Sequence, residues 1–136
     1  MNGHELEEHT GEVRLRLEAA DWPGLFTEAA RALAELMTGA PDVKPPAGQP
    51  VELTVHAPDR AALLVEWLNE LVFLSETRKE VLGEATVVSA TANEVVATVR
   101  GYEPAVLKTA VKAATLHEAR VDQRDGRWHA TVVLDV

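Results

Sequence analysis

The residues of this chain best suited to binding a metal ion lie at its end. Asp135 precedes the last residue, so its side-chain carboxylate lies within one residue of the carboxylate that ends Val136. Two negative charges this close repel each other unless a cation lies between them, and calcium and magnesium prefer such oxygen ligands. Glu12, near the start of the chain, could complete the site. The alternative is that Asp135 is a solvated residue on the outer face of a last strand.

A sheet is the element that would bring these two ends of the chain together. Residues 132–136 are apolar and β-branched around Asp135, whereas chain ends are usually frayed and polar. We therefore expect the last strand to be held in a sheet. Residues 12–19 alternate polar and apolar side chains, which predicts a half-buried strand beginning at Glu12.

Two amphipathic helices are predicted between these strands. Asp21 is a candidate N-cap, Pro23 suits the first turn and Gly39 ends the first helix. Asp59 caps the second helix, which fades into the charged residues 76–80. Apolar side chains repeat at helical spacing in both. They are Trp22, Leu25, Phe26, Ala29, Ala30, Leu33, Leu36 and Met37 in the first helix, and Leu63, Leu64, Trp67, Leu68, Leu71 and Leu74 in the second.

Turn and strand signals divide the rest of the chain. They predict an exposed loop at 41–50, a strand at 51–55 and a hairpin of strands 84–92 and 94–101 that turns near Asn93. A short helical stretch is predicted from Pro104 through Thr109 and Lys112. The last predicted hairpin has strands 116–123 and 127–136, joined by Arg124, Asp125 and Gly126. Because hairpins dominate the second half, we expect one α+β domain over residues 1–136. It should contain a largely antiparallel sheet packed with two main helices.

Composition excludes several classes of function. The chain has 136 residues, no cysteine and a formal net charge of -9. Cysteine-ligated zinc and thiol catalysis are therefore excluded, and the acidity disfavours strong direct binding to nucleic acid. No apolar run approaches the roughly 20 residues of a membrane helix, and the polar start is unlike a signal peptide. We expect a cytoplasmic protein.

Motifs for catalysis are missing from the sequence. It contains no phosphate-binding glycine loop, no His-Glu-x-x-His, no EF-hand loop and no Gly-x-Ser-x-Gly. Its five histidines do not pair at zinc-ligand spacing along one helix. Local chemistry alone therefore predicts an acidic α+β domain with an acidic tip, formed by Glu12, Asp135 and Val136.

Four segments together resemble the archease family, whose members activate the RtcB-type RNA ligase. They are HTGEV at 9–13, LLVEWLNEL at 63–71, KAATLH at 112–117 and VLDV at 133–136. The resemblance covers nearly the whole chain. It implies a compact α+β fold built around a strand-helix-strand-strand module, with core residues at Phe26 and Met37.

The resemblance also implies a divalent cation, most often calcium, with manganese and magnesium as alternatives. It assigns the metal to Glu12, Asp135 and a main-chain or terminal oxygen of Val136, and it makes Lys112 a residue needed for activation. His9, Thr10 and His117 are supporting candidates. Each also has a simpler interpretation: Lys112 as a solvated charge, and the other three as structural hydrogen-bonding residues.

Two departures from the family pattern bear on the implied site. The first family motif commonly reads His-Thr-Ala-Asp, where this chain has Gly11 and Glu12. Glutamate reaches one methylene further, which calcium tolerates better than a strictly octahedral magnesium ion does. The family often has tyrosine where this chain has Leu116, so this chain lacks the hydroxyl that a tyrosine would supply there.

The function implied by the resemblance is assistance to another enzyme in tRNA splicing or RNA repair. The ligase joins RNA ends using GTP and manganese through a guanylylated intermediate, and the activator promotes that intermediate and repeated turnover. This chain would itself be no enzyme. Two alternatives remain open: a small divalent-metal-dependent hydrolase, and a metal-free interaction or chaperone-like domain.

Overall fold

Seven strands and two helices form an α+β fold in residues 2–40, 45–104 and 106–136, the part of the chain that the computed structural model describes. In chain order they are β1 (Gly3–His9), β2 (Glu12–Ala19), α1 (Trp22–Thr38), β3 (Val51–His56), α2 (Arg60–Arg78), β4 (Val81–Ala90), β5 (Glu94–Tyr102), β6 (Ala113–Arg124) and β7 (Arg127–Asp135). None of the described helices is long and apolar enough to cross a membrane.

The strands form two antiparallel sheets. One has the order β1-β2-β7-β6 and the other the order β3-β5-β4. Both helices contact strands of both sheets, so they lie between them. The predicted α+β class with antiparallel pairing is confirmed, although the pairing is divided between two sheets.

The central strands of the four-stranded sheet are β2 and β7, the first predicted strand and the last. They pair in register from Glu12 opposite Asp135 to Ala19 opposite Trp128. Alternation along each strand sends one set of side chains to the core and leaves the other on the outer face. The inward side chains are buried: Val13, Leu15, Leu17 and Ala19 on β2, and Ala130, Val132 and Leu134 on β7.

The helix ends follow the predicted capping residues. The Asp21 carboxylate accepts a hydrogen bond from the Gly24 N–H, and Gly39 ends α1 with φ of 76°. Asp59 accepts from the Ala62 N–H at the start of α2. Glycine suits the end of α1 because it adopts the left-handed conformation without steric cost.

Aromatic side chains join the two helices in the core. Trp67 of α2 is fully buried; its ring meets Phe26 edge to face at 5.6 Å, and its Nε1–H donates to the Phe26 carbonyl at 3.1 Å. The Arg60 guanidinium at the start of α2 lies 4.8 Å from the ring centre of Trp22 and 4.9 Å from that of Trp128. These contacts fix α2 against α1 and β7.

Two segments differ from the sequence prediction. The first, β1, was not predicted because Gly3–His9 is mostly polar; it is an edge strand that pairs with β2. The predicted helical stretch from Pro104 is wrong for the described residues 104 and 106–112. The N–H groups of Lys108 and Thr109 there donate to the Met37 carbonyl at the end of α1, at 2.8 and 3.3 Å, instead of forming a helix.

The predicted loop at 41–50 is only partly described. Residues 41–44 lie outside the described part of the chain, and residues 45–50 contain no helix or strand. The N–H groups of Ala47 and Gly48 donate to the Gly101 carbonyl at 3.0 and 2.9 Å. The prediction is therefore confirmed for residues 45–50, and main-chain hydrogen bonds hold this segment to the end of β5.

The predicted hairpin turn at Asp125 and Gly126 is confirmed. Both residues have positive φ, 53° and 74°, as a tight two-residue turn requires. The strand before it, β6, begins at Ala113 instead of Leu116 and contains a bulge. Thr115 faces Val133 and Arg120 faces Thr131, so β6 advances five residues while β7 advances two.

Candidate functional site

The predicted ligands Glu12 and Asp135 lie opposite each other where β2 begins and β7 ends. The Val136 N–H donates to the Gly11 carbonyl at 3.1 Å, so Gly11 and Val136 form a hydrogen-bonded pair. The neighbouring Glu12–Asp135 pair is then of the non-hydrogen-bonded type, in which side chains approach most closely. The expectation that a sheet brings the two carboxylates together is confirmed, and they lie at one end of the two central strands.

Both carboxylates project from the outer face, because their neighbours Val13 and Leu134 are buried on the inner face. Asp135 is exposed and Glu12 is half-buried. Like charges directly opposite each other destabilise an antiparallel pair, and a cation between them removes that repulsion. The oxygen-only donor set suits a hard divalent cation.

The tip needs a ligand beyond these two side chains. Within the described residues, no three His, Asp or Glu side chains come together in a way that could hold a metal ion. The predicted third ligand is an oxygen of Val136, and the hydrogen bond from the Val136 N–H to the Gly11 carbonyl holds this residue beside the pair. The residues present therefore fit a cation only if the main chain takes part.

The turn between β1 and β2 carries the other predicted residues of the first motif. Thr10 is exposed, and Gly11 has φ of 80°, a conformation that glycine adopts more readily than alanine does. His9 is opposite Glu12 in register, so the outer-face row across three strands is His9, Glu12 and Asp135. The His9 Nε2 lies 3.5 Å from the Glu7 carboxylate.

Lys112 is held beside Asp135 by its main chain. Its N–H donates to the Asp135 carbonyl at 2.8 Å, while its side chain is exposed. Ala113, the next residue, is opposite Asp135 in register. The structure therefore brings Lys112 to the same tip as the two carboxylates.

His117 lies away from this row, in the bulge of β6. Its side chain is 77% exposed, and its Nε2 is 3.9 Å from the Glu118 carboxylate. Glu118 in turn bonds to Arg14, two residues along β2 from Glu12. The structure thus places His117 beside an ion pair and not beside the carboxylates of the tip.

Asn69 is a positioning residue whose role the sequence did not reveal. Its amide Nδ2 donates to the Ala114 carbonyl at 3.1 Å, and its Oδ1 accepts from the Ala114 N–H at 2.8 Å. This pair of bonds ties the start of β6, and hence Lys112, to α2. The signal in the sequence was a polar amide between the core residues Leu68 and Leu71.

Comparisons with known proteins agree on one family. A model described as the Archease protein family (MTH1598/TM1083) matches residues 4–136. Protein archease of Methanopyrus kandleri is 34% identical over 136 residues, covering 95% of this chain and 96% of that protein. Protein archease of Thermococcus gammatolerans is 31% identical, with 100% of both chains covered.

Two solved structures share the fold. The solution structure of Methanobacterium thermoautotrophicum protein 1598 superposes with a TM-score of 0.74 and 29% identity, covering 98% of this chain and 99% of the other. The crystal structure of an archease from Thermotoga maritima, described as a possible chaperone, gives a TM-score of 0.68, with 97% and 96% covered. Its identity of 18% supports the fold alone.

Proposed function

Since the chain belongs to the archease family, we propose that it is a non-catalytic, metal-binding activator of an RtcB-type RNA ligase. In this proposal the chain performs no bond chemistry itself. It promotes guanylylation of the ligase and repeated turnover, in tRNA splicing or RNA repair. The description of a relative as a possible chaperone is compatible with a role exercised through a protein partner.

The observation that carries the proposal is the Glu12–Asp135 pair beside Val136. The pair concentrates negative charge at one end of the two central strands, in the geometry that brings cross-strand side chains closest. A divalent cation, most readily calcium, would be held by these two carboxylates and an oxygen of Val136. Manganese and magnesium are the alternatives, and the extra reach of Glu12 favours the looser coordination of calcium.

Lys112 has a different role in this proposal. An ammonium group donates hydrogen bonds and has no acceptor, so it cannot ligate a cation. The exposed side chain of Lys112 is held at the tip by the hydrogen bond from its N–H to Asp135. We expect it to contact the ligase or a phosphate.

Charge supports an encounter led by this tip. The chain carries a formal net charge of -9, and a ligase that handles RNA and GTP needs a basic active site. Complementary potentials steer two proteins together and raise the association rate. The acidic tip would then enter or border the active site.

A guanylylation assay tests the proposal. The cognate ligase is given GTP and manganese, and the protein is added below stoichiometric amounts. Wild-type protein should increase guanylylated ligase and permit repeated turnover. Lys112→Ala should fold and bind calcium normally yet activate poorly, whereas the exposed Lys108→Ala, matched in charge, should activate like wild type.

The other outcomes are equally informative. Unchanged guanylylation and turnover with wild-type protein would show that the activator proposal is wrong. Metal-dependent hydrolysis by the protein alone would favour the hydrolase alternative. Full activation by a variant that no longer binds metal would favour a metal-free interaction or chaperone-like domain.

A further inference from the structure

A depression on the outer face of the four-stranded sheet is lined by three arginines. Thr131 on β7 lies between Arg16 on β2 and Arg120 on β6, all in register. The small threonine leaves a space of about 240 Å³ between the two longer side chains. The lining residues are Arg14, Arg16, Glu118, Arg120 and Thr131.

This depression is positive in an acidic protein. Its lining carries three arginines against one glutamate, whereas the whole chain has a net charge of -9. Arg16 lies 3.0 Å from the Glu7 carboxylate, and its hydrogen bond lowers the pKa of Glu7, which therefore stays ionised. Arg120 makes no hydrogen bond or ion pair with any residue that the structure describes. Arg14 and Arg16 thus each pair with a carboxylate, Glu118 and Glu7 respectively, and Arg120 is left as the arginine of this cluster without a described acidic partner.

The bulge of β6 closes the depression on one side with Glu118. Glu118 has φ of 59°, in the left-handed region, and its Oε2 accepts from Arg14 Nη2 at 2.6 Å. Val133, on the outer face between Arg14 on β2 and Thr115 on β6, is only 2% exposed. The bulge therefore holds the Glu118 carboxylate against Arg14, at the rim of the depression. Bulges are frequent where a side chain is aimed at a binding site.

Two polar atoms beside this ion pair lack hydrogen-bond partners. Arg14 Nε and Thr115 Oγ1 are both buried and unpaired within the described structure. Arg14 and Thr115 flank Val133 in register, on β2 and β6. Buried polar groups without partners are costly, so this region retains unused hydrogen-bonding capacity.

We propose that this depression binds a phosphate group. The planar guanidinium fork matches phosphate oxygens, and three arginines with a threonine hydroxyl supply donors from three strands. The Glu118 carboxylate occupies part of the site in the free protein and competes with the phosphate for Arg14. The phosphate belongs either to the end of an RNA strand or to a nucleoside triphosphate.

The proposal concerns the isolated protein and holds whether or not the ligase is the partner. Titration with inorganic phosphate, followed by NMR of the arginine Nε–H groups, reads the site directly. Phosphate should shift the signals of Arg14, Arg16 and Arg120. Arg120→Ala should weaken binding roughly tenfold or more, since a hydrogen bond to a charged group is lost.

Two further variants separate a local site from general charge. Glu118→Gln should strengthen phosphate binding, because the competing negative charge is removed. Arg124→Ala, on the same strand as Arg120 and equal to Arg120→Ala in charge change, should bind phosphate like wild type. An equal loss in Arg124→Ala and Arg120→Ala, or unmoved Arg14 and Arg120 signals at saturating phosphate, would overturn the proposal.

Two probes then identify the source of the phosphate. One is a short RNA with a 3′-phosphate compared with the same RNA ending in a 3′-hydroxyl, and the other is GTP. Tighter binding of the 3′-phosphate RNA, lost in Arg120→Ala, supports the site and assigns it to RNA ends. GTP binding that is lost in Arg120→Ala supports the site and assigns it to the nucleotide. Failure of Arg120→Ala to weaken either probe contradicts the proposal.

Discussion

At the scale of single residues, the acidic tip consists of two carboxylates whose proximity could be predicted from the sequence. Glu12 could be predicted because it opens a strand of alternating polar and apolar residues, and Asp135 because it lies in an apolar, β-branched last strand. The contacts of Asn69 and Glu118 could not. Asn69 bonds to a residue 45 positions away and Glu118 to one 104 positions away, so no local pattern marks either partner.

Replacement of Asp135 should abolish metal binding and leave the protein folded. Asp135→Ala deletes one of two facing carboxylates, so divalent binding should be lost. Without metal, the same change removes like-charge repulsion and should leave the free energy of unfolding unchanged or raised by about 0.2–1 kcal/mol. Calorimetric titration with calcium and with manganese measures the first effect, and urea unfolding in chelator measures the second.

The control for this experiment is Asp122→Ala. Asp122 is an exposed acid opposite His129, at the other end of the same sheet face. It should bind calcium like wild type, because it lies far from the tip. Undiminished affinity in Asp135→Ala would remove Asp135 from the metal site.

Extension of the chain beyond Val136 tests the third proposed ligand. A short neutral tag fused after Val136 places an amide next to the proposed ligand oxygen and crowds the tip beside Gly11. Calcium affinity should fall, while the same tag placed before the first residue should leave it intact. Equal calcium affinities in the two tagged proteins would count against an oxygen of Val136 as ligand.

His4 should make stability depend on pH. Its Nδ1 lies 3.0 Å from Glu28 and its Nε2 2.7 Å from Glu35, so it ties β1 to α1. Burial alone would lower the pKa of His4, but hydrogen bonds to Glu28 and Glu35 outweigh it and raise the pKa above its usual 6.5. The protonated form is therefore favoured in the folded state. This stabilisation is fully present below about pH 6.5 and is lost as pH rises through the raised pKa.

Urea unfolding of wild type and His4→Gln checks this effect. The wild-type advantage in free energy of unfolding should be largest near pH 5.5 and shrink toward pH 9. His117→Gln, at a largely exposed position, serves as the control for replacing a histidine by glutamine and should change the free energy of unfolding little at any of these pH values. A wild-type advantage that grows as pH rises would contradict the assigned charge state of His4.

At the scale of elements, the accuracy of prediction followed the burial of each segment. Strand β2 and both helices have clear apolar periodicity because one face of each is buried, whereas β7 was marked by a run of apolar residues, of which Val132, Val133 and Leu134 are all buried. In the edge strand β1, Leu6 is the one large apolar residue, and it packs against the core. The sequence of β1 therefore resembles that of a polar chain end. The segment before β6 has helix-compatible residues, but its N–H groups bond to the carbonyl of Met37, a contact across the fold.

The docking of α2 should depend on Trp67. Trp67→Ala removes a fully buried ring and its hydrogen bond to the Phe26 carbonyl, and should cost roughly 3–5 kcal/mol of the free energy of unfolding. Phe73→Ala, on the same helix at a position 58% exposed, should change it by less than about 0.5 kcal/mol. Denaturant unfolding measures both. A loss below about 1 kcal/mol for Trp67→Ala would mean that the ring does not stabilise the core as the structure implies.

At the scale of the whole molecule, charge is unevenly distributed. The chain has a net charge of -9, yet Arg14, Arg16 and Arg120 gather on the outer sheet face, next to the acidic tip. Composition indicated an acidic protein, but it could not indicate this segregation. The arrangement arises when β2, β7 and β6 align three segments from opposite ends of the chain.

Association with the ligase should therefore be strongly dependent on salt if the acidic surface leads the encounter. Raising sodium chloride from about 50 to about 500 mM shortens the screening length and should lower the association rate constant roughly tenfold or more, with a smaller change in the dissociation rate constant. Stopped-flow fluorescence of labelled protein mixed with ligase measures both constants.

The variant Arg120→Ala tests which surface leads the encounter. This change makes the chain more acidic, so the variant should associate with the ligase as fast as wild type or faster when the acidic tip leads. Slower association of Arg120→Ala would mean that the arginine face meets the ligase first, and a rate constant insensitive to salt would exclude electrostatic steering.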